Sequence, residues 1–286
     1  MTIKKILTLA LIALPSMLFA EGDDDFGVWT EIGLEKSLSK QWSISLEGEY
    51  RSQKRMRGSI GAKAEYKPCK YFKVGAYYSL IYSQKVETRE EHYRKDIVSE
   101  DNWNGYDIKL NDWYPRHRAG AEMVGTVKLW HWLRISLRER YQMTYKPVYY
   151  RSETKYRYEY MGMVDGERQY ELKDNDDDGI PDYPITELDR KDSETIHMLR
   201  SRLKLSVDKK GQKLSPFISA ETHNVINDKM RLDKVRSAIG FDYKINKKNE
   251  ISLSYILTCD IYDDEDGFER VHDRMHALGI GYNLKF

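Results

Sequence analysis

The sequence predicts an all-β chain folded as a closed antiparallel transmembrane β-barrel of ten to twelve strands, with short turns at one end and long loops at the other. Three observations carry this. Segment after segment places an apolar or aromatic residue at every second position, the period of a strand with two unlike faces. Short connections alternate with longer ones, which is the asymmetry of a barrel that crosses a membrane with strands. Beyond the first twenty residues no apolar run is long enough for a membrane-spanning helix, so a membrane form of this chain has to span as a sheet without free edges.

Composition fits that reading without proving it. One third of the residues are charged, which suits a soluble protein, but a barrel needs only one apolar residue in two and keeps polar loops and a polar lumen. The 22 Tyr and 6 Trp are amphipathic rings that favour a membrane–water interface. A net charge of +1 argues against nucleic acid as a partner. Cys69 and Cys259, the only two cysteines, fall in a proposed turn and in mid-strand, so two unpaired thiols are expected.

The elements follow in order. Lys4 and Lys5, an apolar run from Ile6 to Phe19 broken by Pro15, and Ala20 before the acidic Glu21 to Asp25 read as a secretory signal peptide over 1–20, leaving a barrel over 21–286. No cysteine lies near the cleavage point, so no lipid anchor is expected. The first strand shows Val28, Thr30, Ile32 and Leu34 opposite Glu31, Gly33 and Glu35. Leu38 to Gln41 turns it into Trp42, Ile44, Leu46, Gly48 and Tyr50, which alternate with Ser43, Ser45, Glu47, Glu49 and Arg51. A basic loop over Gln53 to Arg57 precedes Ile60, Ala62, Ala64 and Tyr66. After the turn at Lys67 to Lys70 come Phe72, Val74, Ala76, Tyr78, Leu80 and Tyr82.

A long polar loop is expected over about 84–114. The fifth strand turns Ala119, Ala121, Met123 and Val127 outward, with Arg116, Arg118, Glu122 and Lys128 inward. Across the aromatic turn Leu129 to Trp132, the sixth sets Leu133, Ile135, Leu137, Tyr141 and Met143 against Arg134, Ser136, Arg138, Arg140 and Gln142. The longest loop follows, over about 146–192. Leu199, Leu203, Leu205 and Val207 alternate with Arg200, Arg202 and Lys204 in the seventh strand, and Pro216 to Asn224 form a weaker eighth. Val235 to Ile245, Ile251 to Leu257 and a final strand from Arg274 complete the set. The count is eleven, whereas both ends on one side of a membrane require an even number, so either the first segment is not a full strand or another is hidden.

The last strand alternates Leu278, Ile280, Tyr282, Leu284 and Phe286 with Ala277, Gly279, Gly281, Asn283 and Lys285. An aromatic residue ending such a strand resembles the C-terminal signal of outer-membrane β-barrels, in which Tyr282, Leu284 and Phe286 would be read by the barrel-assembly machinery and the strand would close on the first. The opening Val28-Trp29-Thr30-Glu31, the run Leu34 to Glu47 and Glu49-Tyr50-Arg51 likewise resemble a family of small Gram-negative outer-membrane barrels catalogued as domain of unknown function 2490. That resemblance implies location and fold, outer-membrane lipids as surroundings, and no catalytic residues.

Two constellations carry chemistry. Asp174-Asn175-Asp176-Asp177-Asp178-Gly179-Ile180-Pro181-Asp182 spaces carboxylates at every second position before a glycine, the way a loop wraps oxygen ligands round a hard cation. It is similar to the aspartate-rich calcium repeats of thrombospondin type, which by position would make Asp174, Asp176, Asp178 and Asp182 carboxylate ligands and Ile180 a carbonyl ligand for calcium. A solvated acidic loop is the plainer alternative.

The second constellation is the inner face. Arg116, Arg118, Arg134, Arg138, Arg140, Arg200, Arg202 and Lys204 form an expected basic wall, and Glu31, Glu35, Glu47, Glu49, Glu65, Glu221, Asp242 and Asp260 an acidic one. Such walls either pair with each other and with water or set up a transverse field in a small channel that selects a charged solute. A lipid hydrolase of phospholipase or lipid A deacylase type is the enzyme alternative, but His197, His223, His272 and His276 stand in no recognisable Ser/His pattern. A recognition barrel binding a partner or glycan through loops such as Asp101 to Trp113 is the third reading. No enzyme activity is expected.

Overall fold

The computed structural model describes residues 24–52, 55–85, 88–94, 102–111, 113–165, 167–175, 179–209, 211–263 and 270–286. The expected signal peptide lies outside them. Among the described residues there are sixteen strands: β1 (Asp24–Ser37), β2 (Trp42–Ser52), β3 (Arg55–Cys69), β4 (Phe72–Lys85), β5 (Thr88–Tyr93), β6 (Trp103–Asn111), β7 (Tyr114–Leu129), β8 (Leu133–Lys146), β9 (Tyr149–Val164), β10 (Glu167–Leu172), β11 (Ile185–Lys191), β12 (Glu194–Val207), β13 (Leu214–Val225), β14 (Arg231–Lys244), β15 (Asn249–Asp263) and β16 (Arg270–Lys285). Eleven close into a barrel in the order β1-β16-β15-β14-β13-β12-β8-β7-β4-β3-β2.

Ten of the eleven seams are antiparallel. The closing seam is parallel, from Asp24↔Arg274 to Glu35↔Lys285, and this corrects the expectation of an antiparallel barrel with an even count. β1 enters at the loop end and runs toward the turns, as β16 does, so an odd number of strands closes without a missing or hidden segment. Beyond the last pair, the Phe286 amide donates to the Glu35 carbonyl at 3.0 Å.

Most of the described residues in the two long connections lie in strands rather than loops. β5, β6, β9 and β10 form a sheet in the order β10-β9-β6-β5, to which β11 adds by pairing with β9. Only two residues separate β8 from β9, and two separate β11 from β12, so this sheet prolongs the barrel wall at the loop end. Its spine is aromatic: Trp103 stacks on Tyr158 with centroids 5.5 Å apart, Tyr106 on Tyr156 at 4.7 Å, and Arg89 lies 3.7 Å over Tyr106. Arg55 to Arg57 also belong to a strand rather than to the expected basic loop.

Period-2 alternation divides outside from inside as the sequence implies, with the usual polarity of a soluble sheet reversed. Outer-face Ile60 is 66% exposed and Ile32 58%, as are many large apolar residues around the circumference. The charged residues point inward. The turn between β7 and β8 is closed by a hydrogen bond from the Trp132 amide to the Leu129 carbonyl, with Trp130 and His131 both at positive φ (48° and 60°), the handedness that matches strand twist in a tight hairpin. Cys69 and Cys259 are free thiols.

The barrel lumen as candidate functional site

Register decides which inward side chains meet. Across β8 and β12, Arg140 lies opposite Arg200 and Arg138 opposite Arg202, like charges at positions where direct juxtaposition is destabilising. Two carboxylates from the flanking strands offset this. Glu122, opposite Arg140 on β7, accepts from Arg140 Nε at 2.8 Å and lies 2.5 Å from Lys63 Nζ. Glu221, opposite Arg202 on β13, accepts from Arg138 Nη2 and Arg200 Nε, both at 2.7 Å. Both carboxylates are about 4% exposed, and charge-assisted bonds of this length are what make burying them tolerable. Arg200 also donates to Gln142 Oε1 at 3.0 Å, and His223 Nε2 lies 3.0 Å from Glu221.

The same logic recurs on the other side. Arg51 is opposite Arg57, and Glu49 joins them, accepting from Arg51 at 2.6 Å and from Arg57 Nε at 3.1 Å. Glu65 receives Lys63 and Lys73 at 2.6 and 2.7 Å. Lys204 reaches Asp242 at 3.1 Å with its ammonium 3.8 Å from the Phe217 ring centroid.

At the centre stands Trp29, 5% exposed. The guanidinium carbons of Arg51 and Arg236 lie over its ring, 3.7 and 4.6 Å from the centroid. Each cation–π contact of this kind contributes about 0.5–2 kcal/mol. Gly279 lies opposite Trp29 across the parallel seam, and a Cβ there would come within 2.5 Å of Ser254 Oγ. Gly120 leaves room for Tyr77, since a Cβ would meet the Tyr77 hydroxyl at 2.7 Å, and Arg140 lies 4.8 Å over the Tyr77 ring.

The tier of Trp29, Arg51, Arg118, Arg200 and Arg236 divides the lumen. On its loop side, the inward residues Ile81, Ser83, Gln142, Thr144, His223, Thr258 and Ala277 are all buried. On its turn side is a cavity of about 600 Å³ that reaches Glu35, Ser45, Glu250 and Asn283, beside the turns. Ten cationic and eight anionic side chains line it, an excess of two positive charges.

The cavity takes in most of the residues expected in the two walls. Arg118, Arg138, Arg140, Arg200, Arg202 and Lys204 line the cavity, as do Glu31, Glu35, Glu47, Glu49, Glu65, Glu221 and Asp242. Arg116, Arg134 and Asp260 do not: Arg116 sits at the loop end near Tyr114, Arg134 pairs with Asp208 at the turn rim, and Asp260 pairs with Lys234 at 2.9 Å. Nor are the walls cleanly opposed, because Glu221 stands inside the basic one. Sequence reasoning passed over Trp29, Arg51, Arg57 and Arg236. Trp29 shares its strand face with Glu31 and Glu35, and that parity was the available signal.

In the candidate calcium loop, Asp174 accepts from the Gly179 amide at 2.7 Å and Asp182 from the Asn175 amide at 2.6 Å; Asp176 and Asp178 lie outside the described residues. Among the described residues no group of three acidic, His or Cys side chains is placed to hold a metal ion. Of the histidines, His197 and His276 lie on the outer face with His117, each with Nδ1 within 2.7 Å of a tyrosine hydroxyl, those of Tyr141, Tyr255 and Tyr78. The side chain of His272 is outside the described residues.

A family model described as a protein of unknown function, DUF2490, matches residues 26–266, most of the chain. No curated protein and no solved structure matches.

Proposed function

Because the chain belongs to the DUF2490 family, whose description carries no activity, we propose from geometry that it is a non-enzymatic barrel of a Gram-negative outer membrane whose lumen is a blind charged cup, not a through pore. The observation that carries this is the division of the lumen: packed side chains on the loop side of Trp29 and about 600 Å³ of open, charged space on the turn side.

The membrane setting is supported by the outer face. A soluble protein rarely leaves so large an apolar surface in water, and here it runs round the circumference. Aromatic side chains accompany it: Trp42, Tyr66 and Trp130 by the turns, and the Tyr78–His117, Tyr141–His197 and Tyr255–His276 pairs farther along the strands. Aromatic girdles mark the two interfaces of a membrane barrel. Short turns then face the periplasm, so the cup opens there, and the assembly machinery and outer-membrane lipids are its partners.

The prolonged sheet favours a second role at the outer surface. The stacked Trp103, Tyr106, Tyr156 and Tyr158 give a flat aromatic strip suited to a glycan or partner surface. Calcium in the Asp174–Asp182 loop belongs to the same reading, and calorimetry should show uptake reversed by EDTA. The cup is tested by reconstituting heat-modifiable protein into liposomes and following swelling in a small sugar. No swelling is expected; swelling at porin-like rates, or a protein that stays in the aqueous fraction without detergent, overturns the proposal.

A further inference from the structure

The pairing inside the cup is incomplete, and what is left over is sorted by side. Arg118, Arg202 and Arg236 line the cavity, yet the carboxylates around them are committed to Arg138, Arg140, Arg200 and Lys63, and these three make no ion pair among the described residues. Arg118 Nε is buried without a hydrogen-bond partner. Arg236 has only the Thr258 hydroxyl at 3.2 Å and the Trp29 ring. Further arginines crowd each of them: Arg118 and Arg236 stand near Arg51, Arg57 and Arg200, and Arg202 near Arg140 and Arg200, where Glu221, the nearby carboxylate for Arg202 and Arg236, is already bonded to Arg138 and Arg200. Enclosed cations without counter-ions are costly.

The β1–β2 wall shows the opposite deficit. Glu31 and Glu47 face each other's strands one pair out of register and make no ion pair among the described residues; Glu47 accepts only a long bond from Ser45. Both project into the open space. Most other lumen charges are matched with short bonds, Glu35 and Glu250 toward the turns apart, so a cationic set short of partners and an anionic set short of partners mark a place for something that brings both charges.

We infer that the cup binds a small dipolar solute, a phosphate ester carrying an ammonium group, with the phosphate on Arg118, Arg202 and Arg236 and the ammonium on Glu31 and Glu47. This rests on the cup reading of the lumen. Guanidinium forks match phosphate oxygens, and three of them suit a dianion better than a single carboxylate. The volume is that of a small-molecule site. Aromatic and arginine packing above the site prevents onward passage, so the solute is held rather than conducted.

The test is isothermal calorimetry on refolded, heat-modifiable full-length barrel at low ionic strength, where such charges are least screened. O-phosphorylethanolamine, inorganic phosphate and ethanolamine are the probes. O-phosphorylethanolamine is expected to bind at least tenfold more tightly than phosphate, and ethanolamine not at all. Arg118→Gln and Arg202→Gln should weaken both phosphate probes tenfold or more. Glu31→Gln combined with Glu47→Gln should bring O-phosphorylethanolamine down to the affinity of phosphate while leaving phosphate binding intact or improved.

Repeating the titration in bicelles with and without phosphatidylethanolamine separates a free solute from a lipid headgroup. Unchanged binding supports the free solute, and loss of binding when the lipid is present overturns it. Equal affinity for phosphate and its aminoethyl ester, or no heat from either, overturns the inference while leaving the blind cup standing. Liposome swelling by the wild type would instead remove the cup itself.

Discussion

The two halves of the lumen are built from the same strands with the same inward parity, and they end in opposite states. On the loop side the inward positions carry Ile81, Ser83, Thr144, Thr258 and Ala277, small or apolar residues that fill the space. On the turn side they carry Arg, Lys and Glu, whose long side chains fold back along the wall to reach partners one or two strands away and leave the axis open. Strand geometry sets which residues face inward, but side-chain chemistry decides whether the interior becomes a core or a vessel. Charges that must be paired at the wall cannot also fill the centre.

The largest effect should come from the boundary between the halves. Glu221→Gln leaves the Arg138 and Arg200 guanidinia enclosed without their shared counter-ion, and removing one partner of such a buried set costs about 3–5 kcal/mol. A fall of that size in the unfolding free energy, read from urea titration of the heat-modifiable band, is expected; a change within error would mean that water already solvates this tier.

A paired comparison then separates the halves directly. Ile81, fully buried on the loop side, should lose about 2–5 kcal/mol on truncation to Ala, as in a packed core. Glu47→Gln on the turn side should stay within about 0.5 kcal/mol of wild type, as at a solvated surface. Equal losses in the same urea titration would erase the distinction.

The smallest effect lies at the turn rim. The Lys128 ammonium, with Arg134 behind it, holds the Asp208 carboxyl below the usual carboxylate range. A carboxyl whose folded pKa is depressed stabilises the fold above its unfolded value, near 4, and that contribution is lost as pH falls through the folded value. Asp208→Asn should therefore lower stability slightly in the neutral region and converge on wild type below about pH 4, flattening the acid limb of the profile. A parallel downward shift at all pH values would contradict it.

Much of this was legible in the chain. Alternation such as Ile44, Leu46 against Ser45, Glu47 fixed both faces and most of the wall, because inside and outside of a barrel differ by one residue of parity. Pairing was not legible. Glu221 meets Arg138 across 83 positions only through two successive strand registers, and periodicity carries no register information between distant strands. The parallel seam escaped for the same reason, since alternation looks identical in either strand direction. β5, with Thr-Arg-Glu-Glu-His-Tyr, has no apolar face and so read as loop. Trp29 received no place on either face, although its parity with Glu31 and Glu35 puts it inside.

The central claim is that packing on the loop side of Trp29 closes the barrel, and single-channel recording tests it most directly. Folded wild type should be silent in a planar bilayer, while Trp29→Ala combined with Arg236→Ala should give discrete ionic steps once the stacked plug is removed. Stepwise conductance in the wild type itself would contradict the account.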